Sequence, residues 1–338
     1  MPYHLKPTAY ACLLVLLALL CGTACTDTLD DAATADGRTA TVCLRIPQIK
    51  PATRAGMTLE EAEDAIHKLR VVVVHEGKQT NNIEFTSDEI SKGIVTLEQV
   101  PVGQVELYVI ANELSIDNGY TTTTDGKLLV QDPTRKCFPK RGTEFLSESN
   151  STAPIGLPMG WINKTQTIQE GENTIDVQLE RQVAKLNIQM YNTLSSDITI
   201  TTISFGTFFS DRFYFVRQGT LDVPEETEYI SWTFDKIGTD GNGITIGGGT
   251  TGTMVCYVYP SFAWKNSTTS SPYTIGFKTK AGVEYDKQAF VNNYGALNSI
   301  LRNTQINIYA TLSKSANVDI KFNVTEWTEK DIVIPPFD

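Results

Sequence analysis

Histidine, cysteine and positive charge are all scarce in this chain, and each shortage removes a class of chemistry. Of three histidines, His4 lies in the opening segment, and His67 and His75 are expected at the surface. Six cysteines are present, but Cys12, Cys21 and Cys25 crowd the start while Cys43, Cys137 and Cys256 are far apart. No CxxC or other metal-ligand spacing exists, and a scaffold stapled by disulfides would need more cysteine; one bridge among the last three stays open. There is no G-x-S-x-G elbow and no H-E-x-x-H. Gly247-Gly248-Gly249 lacks the lysine of a phosphate loop and reads as a flexible loop. With 28 Lys and Arg against 39 Asp and Glu, the net charge of −11 leaves no basic face for nucleic acid. The expectation is a protein with no enzymatic activity, no metal and no cofactor.

What is present begins with an apolar run. Ala11 to Leu20, behind Lys6, has the length of a signal-peptide core and is too short to span a bilayer. It leads to Gly22-Thr23-Ala24-Cys25, where small residues open the bond before Cys25 to a signal peptidase. Cys25 is therefore the expected lipidation site of a lipoprotein whose signal covers residues 1–24, with an ordinary cleaved secretory signal as the other reading. Several acyl chains, each burying methylenes worth about 0.8 kcal/mol, would hold the protein at a membrane. Residues 26–39 are small, acidic and aperiodic, as a tether would be.

Beyond the tether the chain alternates as β-strands do. Thr41 to Ile46 puts Val42, Leu44 and Ile46 on one face. Residues 47–57 carry two prolines and a glycine and form an exposed connector. Thr58, with Glu61 three residues on, opens a short helix whose apolar face is Leu59, Ala62, Ile66 and Leu69. Strands follow at Leu69 to His75, Val105 to Ile110, Ile175 to Leu179, Val183 to Tyr191, Ile198 to Ile203, Met254 to Tyr259, Ile306 to Leu312 and Val318 to Val324. Turn signals at Asp125-Gly126, Glu170-Gly171 and Asp240-Gly241-Asn242-Gly243 separate them; the last reads as a hairpin turn rather than a calcium loop. This is an all-β chain of two β-sandwiches in series, divided near Arg181. The acidic clusters Glu60, Glu61, Glu63, Asp64 and Glu225, Glu226, Glu228 read as solvated surface. Trp161, Trp232 and Trp264 are candidate sugar-stacking residues, although most sandwich tryptophans fill cores.

Several segments resemble the fimbrillin family, the subunits of the lipoprotein-derived type V pili of Bacteroidota. They are Val100-Pro101-Val102-Gly103 running to Ala111-Asn112, Leu157-Pro158-Met159, the Leu179 to Ile188 strand, Leu301-Arg302-Asn303, and Val318 to Trp327. The resemblance implies two tandem transthyretin-like Greek-key sandwiches: a propeptide at 25–54, a first domain at 55–181, and a second at 182–338. It also implies an arginine-specific protease cutting between Arg54 and Ala55. The strand of Val42, Leu44 and Ile46 would then be displaced, and the tail residues Ile332, Val333, Ile334 and Phe337 would serve as donor strand to another subunit. The implied partners are other fimbrial subunits in a head-to-tail polymer, the protease, the outer membrane through the lipid, and a host glycan or protein. The implied location is the cell surface, first as an outer-membrane lipoprotein precursor and then in the fimbrium. A fimbrial anchor, a tip adhesin or a surface glycan-binding lipoprotein is the alternative.

Overall fold

The structure is a computed structural model, and it describes residues 37–47, 63–113, 121–122, 128–131, 137–138, 156–238, 241–265, 269–314 and 318–327. The first half forms β1 (Thr39–Arg45), β2 (Lys68–His75), β3 (Lys78–Thr86), a one-turn helix α1 (Ser87–Ile90), β4 (Ile94–Pro101), β5 (Gly103–Ala111), β6 (Met159–Ile168) and β7 (Glu172–Asp176). The second half forms β8 (Ala184–Asn192), β9 (Ile198–Phe205), β10 (Thr251–Val258), β11 (Thr274–Thr279), β12 (Glu284–Ala289), β13 (Thr304–Leu312) and β14 (Val318–Glu326), with shorter strands between them.

Alternation in sequence becomes alternation in burial. In β2, Leu69, Val71 and Val73 are fully buried between residues that reach the surface, because successive side chains of a strand point to opposite faces. The same two-residue period buries Leu186, Ile188 and Met190 in β8, and Ile306, Ile308 and Leu312 in β13. A three-stranded sheet, β7-β1-β4, lies over a five-stranded one, Glu180–Arg181, β6, β5, β2, β3. Between them sits the first hydrophobic core. A seven-stranded sheet containing β14-β13-β8-β10 encloses the second core with the sheet built on β9, β11 and β12. The first core also takes in Phe213, Phe215, Tyr257, Tyr259 and Trp327 from the second half, so the two cores are not divided cleanly in chain order.

Several expectations are corrected. Glu63 and Asp64 are helical, but the helix does not continue. Ile66 is buried in coil and Leu69 lies in β2, where the β-branched run finds ladder partners on both sides, β3 and β5. His67 is buried, 7% exposed, and its backbone N–H donates to Asn112 Oδ1 at 2.9 Å. His75 is half-buried, with Nδ1 3.0 Å from the Gln104 carbonyl. The strand expected to reach Leu179 ends at Asp176. The helix α1 was not anticipated; Glu89 accepts hydrogen bonds from both the N–H and the hydroxyl of Thr86, each at 2.7 Å.

The segment around Gly241 is not a hairpin turn. The strands flanking it, Thr233–Asp235 and Ile244–Ile246, both pair with β9 rather than with each other. The triglycine is not a loose loop either. Asn192 Nδ2 donates to the carbonyls of Ile246 and Gly247, the Gly249 N–H donates to the Asn192 carbonyl, and a Cβ on Gly248 would lie 2.6 Å from the Ser195 backbone. Cys43 and Cys256 are free thiols.

Candidate functional site: the slot of the first strand

The strand β1 sits at the centre of its sheet. It runs parallel to β7, with Leu44 opposite Ile175, and antiparallel to β4, with Leu44 opposite Val95. Val42, Leu44 and Ile46 have no exposed surface, and Ala40 has 6%. Further bonds extend the ladder at its ends, from the Ile46 N–H to the Gly93 carbonyl and from the Val177 N–H to the Arg45 carbonyl, each at 2.8 Å. Among the described strands, β7 and β4 each have β1 as their sole ladder partner. Removing β1 would therefore split this sheet and open a slot above the first core.

The outward face of β1 is held more lightly. Arg45 pairs with Asp176 at 2.8 Å, both largely exposed, and Arg38 pairs with Glu170. Pairs of this kind contribute about 0–1 kcal/mol. Thr41 Oγ1 donates to Glu98 at 2.9 Å, and Cys43 Sγ lies 3.7 Å from Thr96 Oγ1. The strand is thus anchored mainly by its inward apolar residues.

A second concentration of polar groups lies where the two cores meet. A cleft of about 940 Å³ is bordered there by Pro47, Trp161, Arg181, Arg217, Arg302 and Trp327, among others. Behind it, Arg302 is 2% exposed. Its guanidinium donates to Asp222, to Gln182, to the Phe215 carbonyl at 2.9 Å and to the Tyr214 carbonyl at 2.7 Å. Burial pulls its pKa down, and the Asp222 carboxylate opposes that shift. Beside it, Glu63 is 1% exposed; it pairs with Lys185 at 2.9 Å and accepts from the Tyr257 hydroxyl and from Trp327 Nε1. Asp64 pairs with Arg181. The first acidic cluster therefore contributes a buried carboxylate, Glu63, and a half-buried one, Asp64, both paired, rather than solvated surface, whereas Glu225, Glu226 and Glu228 are exposed.

Residues 40–192, which include β1, both walls of its slot and β8, match the family model of the major fimbrial subunit protein (FimA). Over that stretch the chain is similar to the major fimbrial subunits. The fold agrees. The tip fimbrial protein Mfa3 of Porphyromonas gingivalis, solved with a C-terminal truncation, superposes with a TM-score of 0.52 at 13% identity, over 86% of this chain and 99% of that one. A candidate cell adhesion protein of Parabacteroides distasonis superposes with a TM-score of 0.50 at 13% identity, over 86% and 100%. No curated protein sequence matches the chain.

In this chain, Val42, Leu44 and Ile46 lie together in the slot, whereas Cys25, Arg54, Ala55, Ile332, Val333, Ile334 and Phe337 lie outside the described residues, as do Glu60, Glu61 and Asp125-Gly126. The three tryptophans do not form one group: Trp161 packs on the first core and borders the cleft, while Trp232 and Trp264 pack on the second core. Trp232 lies against Phe209 and Phe234. Of the two walls of the slot, β7 corresponds to the strand expected from Ile175, whereas β4 has no counterpart among the expected strands, although the alternation of Val95 and Leu97 in it marks an inward face.

Proposed function

We propose that this chain is a structural fimbrial subunit, exported as a lipoprotein on Cys25 and polymerised by donor-strand exchange after an arginine-specific protease cuts between Arg54 and Ala55. The observation that supports it most is that, among the described strands, β7 and β4 depend on β1 alone for their ladder. While β1 is covalently attached, its effective concentration at the slot is very high and a competing strand is excluded. A cut in the connector turns it into a dissociable peptide. Loss of β1 exposes two sheet edges and the places of Val42, Leu44 and Ile46, each worth about 1.5–3 kcal/mol of burial. Such an opening accepts a strand from another chain.

The donor is the tail of a second copy, with Ile332, Val333 and Ile334 entering the slot, Pro335 and Pro336 ending the strand because neither can donate a ladder hydrogen bond, and Phe337 as a plug. Such a contact is head-to-tail and does not close on itself, so it produces a filament. Arg45 is a poor site for the protease because it lies in β1 with ladder partners on both sides, and Arg38 is tied to Glu170. Arg54 lies beyond the strand, so a cut there frees all of β1 together with the lipid. The two sandwiches, 55–181 and 182–338, make up the body of the assembled subunit.

The test is to incubate the purified protein with an arginine-specific protease, beside Arg54→Ala and beside a chain ending at residue 330. The wild type is expected to yield a product beginning at Ala55 that polymerises. Arg54→Ala should do neither, and the shortened chain should be cut but remain monomeric. A product beginning elsewhere, or polymers from the shortened chain, contradicts the proposal.

A second reading, a tip adhesin or surface glycan-binding lipoprotein, draws support from Trp161 at the cleft between the cores. Glycan-array binding lost in Trp161→Ala would favour it, and silence across a broad array would remove it.

A further inference from the structure

Three distant parts of the chain converge on one buried cluster. Glu63 and Asp64 lie six and seven residues after the end of the connector; Arg181 and Lys185 flank the start of β8; Trp327 is the first residue after β14. The charges balance, two carboxylates against two cations, and Lys185 Nζ lies 2.9 Å from Glu63 Oε1. The ring of Trp327 stacks on Tyr257, with centroids 5.6 Å apart and an angle of 14°, and the Arg181 guanidinium lies over the Trp327 ring, 4.6 Å from its centroid. Trp327 Nε1 donates to Glu63 Oε2 at 3.1 Å. Where the β14 ladder stops, at Glu326 opposite Thr304, the Trp327 N–H donates to the Asn303 carbonyl at 3.4 Å and the Trp327 carbonyl accepts from Arg181 Nη1 at 3.3 Å. None of the polar contacts that hold Glu63 comes from β1.

We propose that Glu63 is a positioning residue for assembly: it pins both the segment that becomes the new amino terminus and the point where the carboxyl-terminal tail leaves the fold, so that cutting the connector releases β1 alone. This rests on the donor-strand reading above. Arg54 lies only nine residues before Glu63, and the donor residues Ile332 to Phe337 follow Trp327 by five to ten residues. One buried carboxylate therefore ties the two ends of the machinery to Lys185 and Tyr257 of the second half of the chain. A subunit that loses β1 keeps its two cores in one orientation and presents its tail from a fixed origin.

The test is hydrogen exchange with mass spectrometry on the full chain, before and after the arginine-specific protease, for wild type, Glu63→Gln and Tyr257→Phe. In wild type, peptides spanning 63–70 and 318–327 are expected to exchange within about twofold of their original rates after cutting, while those of β4 and β7 lose protection. In uncut Glu63→Gln, which strands Lys185 without its counter-charge, exchange in both peptides should rise together by about tenfold or more. Tyr257→Phe removes one bond and keeps the ring, so it should move the same two peptides by less; it decides the matter if Glu63→Gln does not fold. A rise confined to 63–70, or loss of protection at 63–70 when wild type is cut, overturns the proposal. Failure of wild type to be cut or to polymerise would sink the donor-strand reading, and the uncut variants would still decide whether Glu63 pins the tail.

Discussion

Asn112 shows how a two-residue signature becomes a structural joint. It adopts φ +56°, a left-handed conformation that asparagine tolerates better than most residues. From there Nδ2 donates to the carbonyls of Ala65 at 2.9 Å and Leu157 at 2.8 Å, and Oδ1 accepts from the His67 N–H. Asn112→Ala is expected to cost about 2–4 kcal/mol, since it strips buried backbone groups of their partner; urea denaturation measures it. Arg302→Ala leaves the Asp222 carboxylate buried without its closest cation and should cost about 3–5 kcal/mol by the same measurement. Neither job was legible in the sequence, because Arg302 draws on Gln182, Tyr214, Phe215 and Asp222, none of them near it in the chain. Glu63 was misread for the same reason: a run of acidic residues looks solvated until Lys185, Tyr257 and Trp327 are folded against it.

Tyr273 carries a pH dependence. Burial pushes its hydroxyl from the usual 10 up to about 12, only partly offset by the hydrogen bond with Ser261. The folded state therefore holds this proton more tightly than the unfolded state does. Its contribution to stability is complete below pH 10 and is lost as pH rises towards about 12. Thermal unfolding followed between pH 9 and 12 should show Tm falling only above about pH 10, and Tyr273→Phe should flatten that fall.

At the scale of elements, the strands were legible wherever one face is buried. β1, β2, β8 and β13 all show the two-residue alternation that the fold then uses. The capped helix was carried too far, because Ile66 and Leu69 fit a helical period as well as a strand start, and only the pairing of β2 with β3 and β5 separates the two. Glycine was read for freedom when the structure uses it for closeness. Gly248→Ala drives a Cβ into the Ser195 backbone and should cost about 1–3 kcal/mol. Gly249→Ala has open space but φ +69°, and should cost about 1 kcal/mol; calorimetry on the two variants separates crowding from backbone strain. Leu44→Ala in β1 is expected to destabilise the uncut protein by about 2–5 kcal/mol, read from its denaturation midpoint.

Over the whole molecule, an all-β body of two cores was readable from spaced strands and turn residues. What sequence could not show is how the halves are tied. Phe213, Phe215, Tyr257, Tyr259 and Trp327 complete the first core from the second half, and the buried Glu63 and Arg302 clusters sit at the meeting of the two. This arrangement suits the proposed loss of one strand, since none of the polar contacts that hold Glu63 and Arg302 comes from β1.

Under the proposed donor-strand exchange, β1 must leave its slot before assembly. Cys43 in β1 is a free thiol, it is paired with Thr96 across the β4 ladder, and the two side chains approach to 3.7 Å. Thr96→Cys therefore allows an oxidised cross-link that holds β1 in place after the connector is cut. The account predicts that oxidised Thr96→Cys is cleaved normally yet stays monomeric, and that adding a thiol reductant restores polymers to the wild-type level. Polymers of equal length from the cross-linked and the reduced protein would contradict it.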